Sequence, residues 1–219
     1  VKGVIEVLRL AARVSIGAAV IGASAAHAVI FFSTSDPNFN TEPPADELAG
    51  RGWEIQGSWS FFLGTPISPR HFITAKHLGG VVGDKFILNG IEYTTAAFFD
   101  DPDSDLRIWR IRESFPSYAK LYPRTDELGK DLVVFGRGTQ RGDEVTVSSL
   151  FGGVAKGWLW GLADGRKRWG ENQVGEVVSN GSNPRVRGGL LRAPFNSDAG
   201  PNEAHLSAGD SGGGLFVKD

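Results

Sequence analysis

Lys85-Phe86-Ile87-Leu88-Asn89-Gly90-Ile91-Glu92-Tyr93-Thr94-Thr95-Ala96-Ala97-Phe98-Phe99 joins two runs of β-favouring residues through one dipeptide. Asn and Gly tolerate the positive φ that a type I′ turn needs at both central positions, and that turn matches the right-handed twist of paired strands. The stretch therefore predicts a hairpin of 85–88 against 91–99. Outward from it, short β-rich runs recur at close intervals: 58–63, 71–75 and 106–111 in one group, then 131–135, 144–150, 156–162, 167–174, 189–195 and 214–218 in another. Asp164-Gly165 marks a further turn. Residues 112–130, with Pro116 and Pro123 and weak periodicity, read as a linker between the groups. Two groups of short strands, with no long amphipathic helix after residue 28, predict an all-β chain built as a pair of barrels or sandwiches.

The 219 residues are 41% hydrophobic and 22% charged, a composition that supports packed cores and excludes a disordered chain. Glycine is unusually frequent at 30 residues but follows no three-residue period, so it signals turns rather than a collagen helix. A net charge of −2 with interspersed signs offers no field to hold nucleic acid. The absence of cysteine removes disulfides, thiolate metal sites and a thiol nucleophile together. Chemistry is left to Ser, Thr, His, Asp, Glu or Lys.

Residues 1–28 read as a secretory signal, with Lys2, Arg9 and Arg13 at the basic end, an apolar stretch over 14–26, and Ala26-His27-Ala28 as the cleavage site. The apolar stretch falls short of the roughly 20 residues that span a bilayer. The chain is therefore expected to be exported, to the periplasm, cell surface or medium. Export without cysteine fits a bacterium better than a eukaryote. Residues 29–50, with Asp36-Pro37, Asn38, Asn40 and Pro43-Pro44, are expected to form an irregular leader, followed by a first β domain over 51–125 and a second over 126–219.

Gly209-Asp210-Ser211-Gly212-Gly213 places one hydroxyl among glycines that let the backbone turn tightly and aim its N–H groups. The pattern also satisfies the nucleophile elbow of α/β-hydrolases, but there the acid and the histidine follow the serine. Here Gly212 to Asp219 contain no histidine, and no βα alternation precedes them. A serine needs a base, and the four histidines are His27, His71, His77 and His205. His27 leaves with the signal and His71 reads as an exposed turn residue. His77 follows a predicted strand, where a side chain can project from a barrel rim. Asp105 opens another strand after the acidic residues Asp100, Asp101 and Asp103, which read as a solvated turn rather than a calcium loop. Trp158 and Trp160 alternate on one strand and read as packing residues rather than a sugar platform.

In these motifs, taken in chain order, the sequence resembles the trypsin/chymotrypsin-like serine proteases. Thr74-Ala75-Lys76-His77, after Gly64 to Ile73, is similar to the family's TAAH, with Lys76 in place of alanine; Asp105-Leu106-Arg107-Ile108 is similar to DIAL; Gly209 to Gly213 is GDSGG. Val133 to Gly138 is a weaker match to the family's GWG strand. The resemblance covers the chain from about Trp53, though 139–202 aligns poorly. It implies two packed six-stranded antiparallel β-barrels with the site between them, the second incomplete because the chain stops at Asp219 before two further strands and a helix. It implies His77 as general base, Asp105 as its orienter, Ser211 as nucleophile, and the Gly209 and Ser211 N–H groups as the oxyanion hole.

The resemblance further implies that Asp210 turns inward and supports the oxyanion loop. Its partner is expected to be either the α-amine of Val29, 48 residues before His77 and freed by signal cleavage, or some other group. His205, six positions before the serine, falls at the pocket base, which points to a polar or acidic rather than basic cleavage preference. Phe62 and Leu78 stand where many relatives carry a disulfide, so apolar packing is expected there, and Gly214 replaces a usual proline. The expected activity is an exported serine endopeptidase acting on a protein or peptide substrate, with no cofactor, metal or nucleic acid. Whether the chain as it stands is active is left open by its early end. The rival reading is a catalytically silent double-barrel binding module at the cell surface.

Overall fold

The computed structural model describes residues 29–149, 152–162, 164–179 and 189–218. The signal expected over 1–28 lies outside them. The chain is all-β, and its first group of strands closes into an antiparallel barrel in the order β2-β3-β4-β7-β6-β5. These are β2 (Gly57–Trp59), β3 (Phe62–Ser68), β4 (His71–Ala75), β5 (Lys85–Leu88), β6 (Ile91–Asp100) and β7 (Leu106–Ile111). The hairpin of β5 and β6 turns at Asn89 and Gly90, whose φ angles of 51° and 79° are those a type I′ turn requires. The single run expected over 58–63 is instead a second hairpin, β2 against β3, turned at Ser60 with φ 54°. No Gly, Pro or Asn marks that turn, which is why the pattern of apolar residues reads straight through it.

Alternation along the strands fills the barrel. Phe72 and Thr74 on β4, Phe86 and Leu88 on β5, and Trp109 and Ile111 on β7 point inward at every second position. They meet Trp59, Tyr93 and Phe115 in one largely aromatic cluster, with the Phe72 and Phe86 rings stacked at 4.2 Å. Phe115 belongs to the segment expected as a linker; its N–H donates to the Pro69 carbonyl (2.8 Å), so the segment's first part walls the barrel. Leu78, half-buried, packs against the same cluster.

The second group does not close among the described residues. It forms a three-stranded sheet, β11-β8-β15, and three two-stranded ones, β9-β10, β12-β13 and β1-β14. The strands are β1 (Ile30–Phe31), β8 (Asp131–Gly136), β9 (Arg141–Ser149), β10 (Gly152–Trp160), β11 (Arg168–Gln173), β12 (Glu176–Ser179), β13 (Gly189–Arg192), β14 (Ala204–His205) and β15 (Leu215–Val217). Sequence reading does not find β1, β12 or β14.

Residues 29–50 run mostly without regular structure and pack into the fold. Val29 and Phe31 are buried with Leu132, Val134, Val174 and Ala204, and β1 pairs with β14. Arg141 donates to the carbonyls of Phe31 (3.1 Å) and Phe32 (2.5 Å), and the Trp169 Nε1–H donates to the Glu42 carbonyl (2.9 Å). On β10, Trp158 is enclosed by Phe32, Phe195 and Arg141, while Trp160 is 55% exposed. A third cluster of Leu48, Leu63, Val133, Phe135 and Trp169 joins the leader, the barrel strand β3 and the sheet of β8.

Candidate active site

Strands β4 and β7 are antiparallel neighbours with Ala75 opposite Leu106, so the end of one lies beside the start of the other. Lys76 extends the ladder by one bond, its N–H donating to the Asp105 carbonyl (2.6 Å). A single 3-10 turn, Lys76–Leu78, then lifts His77 off the strand end. The Asp105 carboxylate meets it twice: Oδ1 accepts the His77 main-chain N–H (2.9 Å) and Oδ2 lies 2.5 Å from Nδ1. With Nδ1–H donating to that oxygen, Nε2 keeps its lone pair and faces Ser211 Oγ at 3.0 Å. The serine proton can therefore pass to Nε2 as the hydroxyl attacks, and the carboxylate favours the resulting imidazolium. The His77 and Asp105 side chains are 56% and 43% exposed, so the pair opens to solvent.

Ser211 arrives from the other group of strands, on the loop between β14 and β15. Gly209 and Gly212 hold φ angles of 95° and 80°, which turn the chain sharply on either side of the serine. A Cβ on Gly212 would stand 2.1 Å from the Leu63 carbonyl oxygen and 2.6 Å from Thr74 Oγ1, so the loop rests directly on β3 and β4. Three residues past the serine, the Gly214 N–H donates to Gln56 Oε1 (2.9 Å), while Gln56 Nε2 donates to Thr65 Oγ1 (2.9 Å). Gln56 thereby fastens the loop to the barrel. Lys167 fixes Gln56 in turn, donating to its carbonyl (3.1 Å) and to that of Trp53 (2.7 Å); burial pulls the Lys167 pKa down to about 8.

Asp210 is only 4% exposed and turns inward. Its oxygens accept the N–H groups of Gly138 (2.5 Å) and Ser207 (2.6 Å) and the Ser207 hydroxyl (3.1 Å). Burial raises its pKa to about 7, against the lowering effect of those bonds and of the Arg168 charge. Val29 lies in the apolar cluster beneath β1. The Asp210 N–H is bonded to the Ser207 carbonyl (3.1 Å), whereas the Gly209 and Ser211 N–H groups donate to nothing among the described residues.

The structure thus brings His77, Asp105 and Ser211 together, with Gly209 and Asp210 around the serine. It does not bring His205 to them: that ring sits on β14 opposite Ile30, with Nδ1 2.6 Å from the Leu206 carbonyl and the ring beside Phe195. His71 shares a hydrogen bond with Ser68 Oγ (2.8 Å). Gln56 had no signal in the sequence, since an isolated glutamine carries none. A cleft of about 750 Å³ adjoins the site, lined by Thr74, Asp105, Tyr122, Leu190, Gly213 and Phe216 among others. Among the described residues no group of three or more His, Cys, Asp or Glu is placed to hold a metal.

No family model and no curated protein sequence matches the chain. Among solved structures it is similar to the Rv3671c protease in an inactive form, at 17% identity and a TM-score of 0.47, with 81% of each chain covered. It is likewise similar to a serine-to-alanine mutant of Rv3671c from M. tuberculosis H37Rv, also an inactive form, at 15% identity and a TM-score of 0.49, with 81% of this chain and 78% of that one covered.

Proposed function

We propose that the chain is an exported serine endopeptidase of the trypsin-like class. The observation that carries the reading is the continuous hydrogen-bonded line from Asp105 through His77 to Ser211, assembled from residues up to 134 positions apart. In the proposed reaction, Ser211 Oγ attacks the carbonyl carbon of a peptide bond as its proton passes to His77 Nε2. The negative oxygen that forms is held by the Gly209 and Ser211 N–H groups. His77 returns the proton to the departing amine, leaving an acyl-serine, and water repeats the sequence to release the acid. Export rests on the pattern of residues 1–28, and the division into domains at 125/126 on the two groups of strands.

The test is labelling of the full chain by a fluorophosphonate. Ser211 is the expected site, and His77→Ala should abolish labelling, because the hydroxyl is a poor nucleophile without its base. Asp105→Asn should fold normally yet lower turnover by roughly 10⁴-fold, since the imidazole tautomer is no longer held. Equal labelling of wild type and His77→Ala would overturn the reading, and failure to label wild type at all would favour the silent binding module.

A further inference from the structure

The turn that delivers Asp105 is crowded with like charge: Asp100, Asp101, Asp103 and Asp105 fall within six residues. Left to itself such a segment repels and spreads. Part of the restraint is internal, since the Asp101 carboxylate accepts the Ser104 hydroxyl (2.5 Å) and the Asp103 N–H (3.0 Å). Arg107 binds the Asp100 carboxylate through Nε (2.5 Å) and Nη2 (2.8 Å). None of these bonds reaches Asp105 itself or ties the turn to His77.

Lys76 does both. Its ammonium donates to the carbonyls of Asp101 (2.9 Å) and Ser104 (2.7 Å), and its own N–H donates to the carbonyl of Asp105 (2.6 Å). One residue, adjacent in sequence to His77, thus grips the turn: its side chain holds the start and the residue immediately before the carboxylate, and its main chain holds Asp105 itself.

We infer that Lys76 is a positioning residue: its ammonium holds the 101–105 turn so that both oxygens of Asp105 stay on His77. The inference rests on the proposed reading of the triad. Two carbonyls converge on one cation, so its removal leaves them without that donor in a partly enclosed place and leaves the acidic turn less compensated. The turn relaxes, the two-point contact with His77 loosens, and the imidazole is no longer fixed in one tautomer. With its ammonium committed to the turn, Lys76 acts on the rate of the chemical step rather than on substrate affinity.

The experiment compares the full-length wild type with Lys76→Met and Lys76→Arg by two measures: the fluorophosphonate labelling rate per folded molecule, and the far-downfield proton resonance of His77 Nδ1–H. Lys76→Met should slow labelling by about 10²-fold, the scale expected when a catalytic group is misplaced by about 1 Å, and should broaden or remove the resonance. Lys76→Arg, with donors for both carbonyls, should restore much of each. In a substrate assay the loss should fall on kcat with KM unchanged. A folded Lys76→Met with wild-type rate and resonance overturns the inference. Should Lys76→Met not fold, Lys76→Gln, which is shorter and lacks the ammonium charge, is read by the same measures, and wild-type values in it overturn the role assigned to the ammonium equally. If wild type itself is not labelled, the proposed activity fails, and the resonance alone still decides the role of Lys76.

Discussion

Burial raises the Asp210 pKa to about 7 from an ordinary 3.8, because the donors that meet its carboxylate are neutral and only partly offset the loss of water. Between these two values the folded protein holds a proton that the unfolded chain has released. Folding stability therefore falls as pH rises from about 4 to about 7, then levels off, with a penalty of order 4 kcal/mol above that range. Asp210→Asn cannot titrate, so its cost relative to wild type should be largest near pH 4 and shrink towards pH 8 in urea unfolding. A cost that does not vary with pH would show that the buried carboxylate keeps its ordinary pKa. That His77, Asp105 and Ser211 meet was legible because the chain offers only four histidines and the motifs around these three residues resemble, in chain order, those of a known family. The support given by Lys76 and Gln56 was not legible as such, because most of it is made to main-chain groups that any sequence would supply.

Two glycines with nearly the same φ separate what a turn needs from what a contact needs. Gly90 at 79° has nothing within 4 Å of a built Cβ, so Gly90→Ala should cost only the left-handed strain, about 1 kcal/mol. Gly212 at 80° pays the same strain and also drives a methyl into the Leu63 carbonyl, so Gly212→Ala should cost about 3 kcal/mol or more. Urea unfolding of the two variants checks this, and equal costs would mean that the serine loop does not rest on β3. Strand reading followed the same division. β4, β5 and β7 match their expected bounds because alternation and turn residues are local signals. The two-residue strands β1 and β14 exist only because each finds the other across the chain, and nothing within either run announces it.

Among the described residues three apolar clusters stand out: one inside the barrel, one beneath β1, and one shared between the barrel and the sheet of β8. Phe31 belongs to the second and stands edge-on to Phe39 at 4.9 Å. Phe31→Ala should cost about 3 kcal/mol, and the loss should be uneven. Amide exchange should quicken at Val133 and Val134 on β8 while Phe72 and Trp109 in the barrel keep their protection. Uniform loss of protection would show that the two groups of strands open as one unit. The all-β class was readable from short runs and turns, whereas these left barrel and sandwich open and only the resemblance pointed to a barrel. That residues 29–50 build part of the second group was not, since their Pro, Asn and Asp content describes the path of the chain but not what it lies against.

The bond between His77 and Ser211 spans the two groups of strands, for its imidazole rides on the closed barrel and its hydroxyl on the loop before β15. Its length depends on how the two groups sit against each other, so it works as a gauge whose jaws belong to different bodies. Anything that tilts the leader-bound sheets against the barrel, even far from the triad, is felt there as a broken path for one proton. Control of such a molecule need not touch the site at all; it is enough to lean on the frame.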